Sequence, residues 1–360
     1  MDIPPLAGLG PEGDADPQVA VRVARTWLAG GLVGLPTETV YGLAADAQEP
    51  AAIARIYRAK GRPVDHPLIV HVQGAQALEG WSAGPDPVAQ RLAERFWPGA
   101  LTLVVRRGAR ASDVITGGQD TVALRCPNHP VALACLRALA RESGDPARGV
   151  AAPSANRFGR VSPTRAVDVL GEVGAALDPT RDLVVDGGPC TIGVESTIVD
   201  CTADPPRVLR LGAIGQVDID RVLDPGRGPG PGGGPPAVEP AVRAPGTLES
   251  HYAPTARVLL VEPTALGDPP SADLLVRLAD DGEWTGPVGL IAASGVGTPA
   301  GWTRLLAAGS DAEFAHGLYA SLRRADELGL PAVVAVLPEV TGGPLAVAVR
   351  DRLARAAHGG

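Results

Sequence analysis

The chain has 360 residues, of which 45% are hydrophobic and only 3% aromatic, and its formal net charge is −8. This length favours two domains over one, and the composition predicts cores built on Leu, Val, Ile and Ala. The negative charge excludes a global attraction for nucleic acid, so any RNA contact would need a local basic patch.

Helices and strands alternate over residues 17–223. Residues 1–16 are predicted to be a loose tail. Asp16 followed by Pro17 predicts a helix start, since Asp caps helices well and Pro suits the first turn. An apolar run at residues 32–35 predicts a buried strand, which Pro36 ends. Further helices are predicted over residues 49–59, 86–96, 130–141, 163–171 and near 223, and further strands over 67–72, 101–106, 121–125, 150–153, 183–186, 196–200 and 208–210.

A change of composition marks the end of this region. In residues 224–246, seven prolines and seven glycines occupy 14 of 23 positions, which is typical of a linker. Beyond the linker, strands are predicted over 257–261, 287–292 and 331–337, and helices over 311–328 and 345–356. This alternation predicts a second, smaller α/β domain.

The cysteines and the N-terminus give no sign of a metal site or of export. Cys126, Cys135, Cys190 and Cys201 form no CxxC pair, and no nearby histidine completes a zinc pattern, so we expect buried free thiols and no metal site. No apolar run reaches membrane-spanning length, and nothing resembles a signal peptide. We therefore expect a soluble, cytoplasmic protein.

Polar side chains follow the first predicted strand. Thr37, Glu38 and Thr39 come directly after it, and ligands of α/β proteins bind where strands end. Gly42 would let another backbone or a ligand approach closely. A capped turn before a helix is the alternative interpretation of the same residues.

Lys60 and Arg62 flank a glycine and precede a proline. Both cations could reach one polyanion, Arg62 as a fork for phosphate oxygens and Lys60 as a point charge. The alternative is a solvated helix end, where cations also interact favourably with the helix dipole.

Three further turns carry short polar side chains. Ser154 and Asn156 follow a predicted strand and suit phosphate, ribose or carboxylate, or else form a simple turn. Ser162 precedes a proline and predicts a helix N-terminus, which attracts anions or is simply capped. A glycine-rich turn at residues 186–197 either makes a hairpin or surrounds a ligand, in which case Ser196 would lie close to that ligand.

Three more residues stand out by their position. His71 lies in a predicted strand, where a histidine is more often a satisfied core group than a catalyst. Arg125 ends another strand, and because an unpaired buried charge is costly, it suggests an anionic partner. His251 and Tyr252 are unusual in a stretch where only spacer is expected. The alternative interpretation is that Tyr252 simply packs the linker onto the first domain.

The sequence contains no recognisable pair of nucleophile and general base. The chain has no HExxH motif, no GxSxG motif and no carboxylate cluster. The sequence therefore predicts a site that positions anions, without covalent catalysis.

Taken together, these motifs resemble the YrdC/Sua5 family. They are PTETVYGL at 36–43, KGRPVDHPL at 60–68, FWPGALT at 96–102, SAN at 154–156, SPT at 162–164 and GVEST at 193–197. HYAP at 251–254 and the appended α/β region resemble the longer Sua5 form. The resemblance implies a YrdC-like twisted mixed-sheet α/β domain at 17–223, a linker at 224–256 and a smaller Rossmann-like α/β domain at 257–357.

Members of this family are threonylcarbamoyl-AMP synthases. The resemblance implies that L-threonine, bicarbonate and ATP, with Mg²⁺, give threonylcarbamoyl-AMP and pyrophosphate. Partner proteins would then transfer the threonylcarbamoyl group to adenosine 37 of tRNAs that read ANN codons.

By motif match, the resemblance also implies a set of site residues. Those for ATP are Lys60, Arg62, Thr121, Ser154, Asn156, Ser162, Arg210 and Tyr252. Those for L-threonine are Thr37, His71, Arg125, Ala152 and Ser196. Lys60 and Arg62 would also act catalytically by offsetting charge repulsion, and Arg125 would face the carboxylate. The linker would fold over the site as a lid, with Tyr252 reaching the nucleotide.

Two alternative functions stay open. One is a carbamoyltransferase of the hydrogenase-maturation type, which normally carries acylphosphatase and zinc-finger segments that this chain lacks. The other is a module that binds double-stranded RNA or tRNA, against which the net charge of −8 argues.

Overall fold

The computed structural model describes residues 6–8, 15–224, 242–245, 252–266, 274, 286–340 and 343–358. They divide into two compact units. The first comprises Met1–Phe158, Pro163–Thr191 and Glu195–Thr247, and the second comprises Gly159–Ser162, Ile192–Val194 and Leu248–Gly360. Most of the predicted linker and lid at 224–256, including His251, lies outside the described residues, so the lid and the boundaries at 223 and 257 stay predictions.

Among the described residues, a ten-stranded mixed sheet is the centre of the first unit. Its strands in chain order are β1 (Leu6–Ala7), β2 (Val33–Leu35), β3 (Gly42–Asp46), β4 (Ile69–His71), β5 (Leu101–Arg106), β6 (Thr121–Arg125), β7 (Val150–Ala151), β8 (Leu183–Asp186), β9 (Thr197–Asp200) and β10 (Arg207–Arg210). The spatial order is β1-β8-β2-β3-β7-β4-β6-β5-β9-β10. The pairs β1–β8, β2–β8, β4–β6 and β5–β9 are parallel, and the other five are antiparallel. The predicted mixed-sheet α/β class is confirmed.

The helices of the first unit cover the sheet. They are α1 (Pro17–Leu28), α2 (Pro50–Lys60), α3 (Leu78–Trp81), α4 (Pro87–Phe96), α5 (Asp113–Thr116), α6 (Pro130–Ser143), α7 (Ala166–Val173) and α8 (Gln216–Leu223), with short 3-10 turns at Ala75–Ala77 and Gly174–Ala176. The Asp16 carboxylate accepts a hydrogen bond from the Gln18 amide at 2.8 Å, which confirms the predicted helix start. Trp27 of α1 and Leu136 of α6 are fully buried in one core with strands β2 and β3.

A hairpin positions the first polar turn. Strand β3 is antiparallel to β2, so residues 36–41 connect them, and the alternative of a turn before a helix is wrong. Every residue of β3 is buried, so its sequence shows no alternation that would predict a strand. The expected close approach of another backbone at Gly42 is confirmed, since a Cβ there would lie 3.4 Å from the Pro153 carbonyl oxygen and 3.2 Å from the Ala152 Cβ.

Three other expectations about the first unit are wrong. The tail at 1–16 contains strand β1, which pairs with β8. The helix predicted from 163 begins at Ala166, because the Asp168 carboxylate accepts hydrogen bonds from the amides of Thr164 and Arg165 at 3.2 and 3.0 Å. The glycine-rich turn at 186–197 is not a hairpin, because β8 and β9 lie apart in the sheet.

In the described part of the second unit, four parallel strands form the sheet. They are β11 (Arg257–Val261), β12 (Val288–Ala293), β13 (Thr303–Ala308) and β14 (Ala332–Val336), in the order β11-β14-β12-β13. The described helices are α9 (Asp311–Glu327) and α10 (Pro344–Ala357), with a 3-10 turn at Pro263–Ala265. The second α/β region is therefore confirmed, although β13 was not predicted. No helix in the described ranges is long and apolar enough to span a bilayer.

Candidate functional site

Arg125 occupies the end of strand β6 and meets the turn of the β2–β3 hairpin. Its Nη1 donates a hydrogen bond to Thr39 Oγ1 at 2.8 Å, and its Nε donates to the Gly99 carbonyl at 3.3 Å. Thr37 Oγ1 lies 2.9 Å from Thr39 Oγ1 and donates to the Val40 carbonyl at 2.6 Å. The structure thus brings Thr37 and Arg125, two residues predicted for threonine, to one place.

The partner of Arg125 comes from the protein itself. Its Nη2 lies 2.7 Å from Glu38 Oε1, and both side chains are only 5% exposed. The expectation that Arg125 has an anionic partner is therefore confirmed, and that partner is a side chain of this chain. The two atoms are close enough for an ion pair, but neither Glu38 oxygen nor Arg125 Nη2 has an aligned hydrogen bond.

His71 lies opposite Arg125 on the neighbouring parallel strand. Burial, with the positive charge of Arg125 beside it, lowers the pKa of His71 to about 3. The imidazole is therefore neutral at physiological pH. It can exchange hydrogen bonds with a polar ligand but cannot supply a charge.

Ser196 and Arg210 continue the same polar surface. Arg210 donates from Nε to the Ser196 carbonyl and from Nη2 to Ser196 Oγ, both at 3.0 Å. Ser196 Oγ lies 2.8 Å from Thr102 Oγ1, and Thr102 is opposite Arg125 in the β5–β6 ladder. Residues predicted for ATP and for threonine therefore meet at Ser196.

Lys60 binds the turn that follows strand β7. Its Nζ donates to the Ser154 carbonyl at 2.5 Å and also to the Asn156 carbonyl. Burial and the charge of Arg62 hold the pKa of Lys60 well below its usual value. Because Lys60 is 3% and Arg62 8% exposed, the alternative of a solvated helix end is wrong.

Arg62 lies beside Lys60 and packs against the same turn. It donates to the Pro67 carbonyl at 2.9 Å, and its guanidinium carbon lies 5.7 Å from the centroid of the Phe158 ring. The Phe158 amide in turn donates to the Lys60 carbonyl at 2.8 Å. Two cations and the 154–158 turn therefore form one assembly.

The remaining predicted residues differ in what surrounds them. The Ala152 amide donates to the Ile69 carbonyl at 3.0 Å, which fixes β7 beside β4. Thr121 begins β6 opposite Arg106. Ser162 and Tyr252 belong to the second unit. There the Tyr252 ring stacks on the Tyr319 ring, with the two ring centroids 5.5 Å apart, and the Arg352 guanidinium carbon lies 5.3 Å from the Tyr252 centroid. Helix α7 begins at Ala166 with Arg165 at its N-cap, so the helix N-terminus predicted at Ser162, and with it a capping role for Ser162, is wrong.

Sequence reasoning overlooked two side chains of this surface. Glu38 was noted only as a polar residue of the turn, although it contacts Arg125. Thr102 lies inside a strand predicted from its apolar residues, and the only signal was its place in the FWPGALT motif. Both stand next to residues that the resemblance did imply.

The predicted state of the cysteines is confirmed. All four are free and buried, and burial raises the pKa of each thiol. Within the described ranges, no three His, Cys, Asp or Glu side chains are grouped so that they could hold a metal ion.

These features define an α/β protein whose first sheet carries buried cations, a neutral histidine and hydroxyl groups suited to anionic and polar ligands. Two family models match the chain. The Sua5/YciO/YrdC model, described as "Telomere recombination", matches residues 25–212, and "Threonylcarbamoyl-AMP synthase, C-terminal domain" matches residues 214–358.

Curated relatives match along nearly the whole chain. The threonylcarbamoyl-AMP synthase of Bacillus subtilis is 39% identical over 351 residues, covering 96% of this chain and 94% of the relative. That of Pyrococcus abyssi is 36% identical over 346 residues and covers 93% of both. The crystal structure of P. abyssi Sua5 complexed with L-threonine superposes with a TM-score of 0.79 at 33% identity, over 96% of this chain and 95% of that one. The chain belongs to the Sua5 family of threonylcarbamoyl-AMP synthases, in its long form.

Proposed function

We propose that this enzyme converts L-threonine, bicarbonate and ATP into threonylcarbamoyl-AMP and pyrophosphate. The observation that supports this most is that the first unit contains two different groups of buried cationic side chains. Lys60 and Arg62 hold the 154–158 turn, and Arg125 lies among the hydroxyl groups of Thr37 and Thr39. The first suits a polyphosphate and the second a small polar anion.

The chemistry needs little acid–base assistance from the protein. A carbamate formed from threonine and bicarbonate is already an anion, so it can attack the α-phosphorus without a strong general base. The main obstacle is repulsion between the carbamate and the triphosphate. Lys60 and Arg62 reduce this repulsion, and the triphosphate favours the charged form of Lys60 that burial disfavours.

Mg²⁺ enters with the nucleotide in this proposal. No acidic cage exists among the described side chains, which suits an ion held mainly by phosphate oxygens and water. The ion neutralises part of the triphosphate charge. The protein's own contribution is the pair of cations beside the 154–158 turn.

The threonine-binding part uses charge and neutral hydrogen bonds separately. Arg125 binds the carboxylate, and Thr37 and Ser196 supply hydroxyl groups nearby. His71, neutral because of its burial, suits the substrate hydroxyl better than a charged group. Ala152 packs its methyl group closely beside Gly42.

The reactivity of the product determines the next step. A mixed anhydride with AMP hydrolyses readily, so it must be shielded or passed on quickly. We propose that partner proteins in the cytoplasm accept the threonylcarbamoyl group and transfer it to adenosine 37 of tRNAs reading ANN codons. The lid formed by 224–256 and the contacts of Thr121, Ser162 and Tyr252 with ATP remain part of this proposal.

The test is pyrophosphate release by the full chain with ATP and Mg²⁺, omitting L-threonine or bicarbonate in turn. We expect release to fall to background when either is absent, and an adenylate containing threonine to appear when both are present. Full release without either substrate would contradict the proposal. Release that instead requires carbamoyl phosphate would identify a carbamoyltransferase, and RNA binding without ATP turnover would identify an RNA-binding module.

A further inference from the structure

Glu38 differs from other buried carboxylates of the first unit. Its side chain is 5% exposed, yet neither oxygen accepts an aligned hydrogen bond. Asp46, equally buried, accepts from Arg148 at 2.6 Å and from the Gln48 amide at 3.0 Å. Asp182 accepts from the Leu32 and Asp178 amides at 2.8 and 2.7 Å. Buried carboxylates normally accept hydrogen bonds, so Glu38 is an exception that needs a reason.

The charge beside Glu38 is Arg125, and that contact is poorly directed. Nη2 and Oε1 are 2.7 Å apart without hydrogen-bond alignment, whereas the other Arg125 nitrogens donate to Thr39 and Gly99. His129 also faces Glu38, and burial lowers the pKa of His129, so it is mostly neutral. One positive and one negative group thus stand side by side, and the negative group still lacks donors.

Two adjacent charges of opposite sign match an α-amino acid zwitterion. We propose that Glu38 binds the α-ammonium group of the amino-acid substrate while Arg125 binds its α-carboxylate. This rests on the proposed function. The internal pair opens when substrate enters, and each buried charge exchanges one partner for another, so neither is left uncompensated. An ammonium group brings three donors to a carboxylate that has none aligned.

The alternative is a structural ion pair that only holds the hairpin turn against strand β6. The two interpretations differ in whether the protein senses the ammonium group of the ligand. (R)-3-Hydroxybutyrate separates them, because it keeps the carboxylate and hydroxyl of L-threonine and lacks the ammonium group.

The experiment is calorimetric titration of the full chain with each ligand, using wild type, Glu38→Gln and Asp46→Asn. Hydrogen bonds to charged groups contribute about 1.5–3 kcal/mol, so Glu38→Gln should weaken L-threonine binding by about 10- to 100-fold. Its affinity for (R)-3-hydroxybutyrate should be unchanged or higher. Asp46→Asn, which removes an equally buried charge from another ion pair, should not distinguish the ligands.

Equal effects of Glu38→Gln on both ligands, or no effect on L-threonine, would overturn the inference and leave the proposed function intact. Failure of the wild type to bind L-threonine at all would overturn the proposed function and the inference with it. If Glu38→Gln does not fold, Glu38→Asp keeps the charge on a shorter side chain. It should weaken L-threonine selectively but less, and an equal change for both ligands would again refute the inference.

Discussion

Replacing Arg125 with methionine is expected to lower the free energy of unfolding by about 3–5 kcal/mol, because it leaves the Glu38 carboxylate buried without its counter-charge. The change also removes the hydrogen bond to Thr39 Oγ1. Urea denaturation at neutral pH measures the loss. Threonine-dependent pyrophosphate release should disappear as well, since the carboxylate of the substrate loses its partner.

The double variant Glu38→Met/Arg125→Met separates stability from function. Replacing both members of a buried ion pair with apolar residues is often neutral or stabilising, so most of the lost stability should return. Threonine binding should not return. A single Arg125→Met variant as stable as the wild type would show that Glu38 is not held as a buried charge. Recovered threonine binding in the double variant would refute the assignment of the carboxylate to Arg125.

Replacing Lys60 with methionine is expected to reduce the rate of pyrophosphate formation by about 10²- to 10³-fold, the usual effect of removing one preorganised charge from a transition state. The substitution also removes the donor that holds the carbonyls of Ser154 and Asn156. Steady-state kinetics with ATP varied should show the loss in kcat/KM for ATP. Threonine binding by calorimetry should persist, because Arg125 and Thr37 lie in the other part of the site.

Arg58→Met is the matched control for Lys60→Met. Arg58 lies in the same last turn of helix α2 but is exposed, so its removal should leave the rate nearly unchanged. Equal losses in the two variants would indicate that the helix end acts through its general charge. A Lys60→Met variant with wild-type activity would exclude the lysine from the reaction.

The elements that sequence predicts best are those with local signals. Asp16 before Pro17 marks the start of α1, and a run of β-branched and leucine residues matches strand β5 (Leu101–Arg106) at both ends. Strand β3 escaped prediction because both its faces are buried, so it has neither alternation nor β-branched residues. The start of α7 was misplaced because Asp168, four residues beyond Thr164, supplies the cap from inside the helix.

The candidate site shows the same division between local and long-range information. The cations Lys60 and Arg62 are visible as a motif, but their burial and the carbonyl partners 94 and 96 residues away are not. The anionic partner expected for Arg125 could not be identified as Glu38, because Glu38 comes much earlier in the chain, on a hairpin turn that the prediction lacked. Such pairs depend on strand order, which no single segment encodes.

We expect Lys60 and Arg62 to hold a nucleotide while Arg125 holds an amino acid beside it. The most direct measurement is a crystal structure of the full chain with L-threonine, Mg²⁺ and a non-hydrolysable ATP analogue. We predict phosphate oxygens within hydrogen-bond distance of Lys60 and Arg62, with the threonine carboxylate on Arg125. A nucleotide bound away from both cations, or threonine bound without contact to Arg125, would contradict this arrangement.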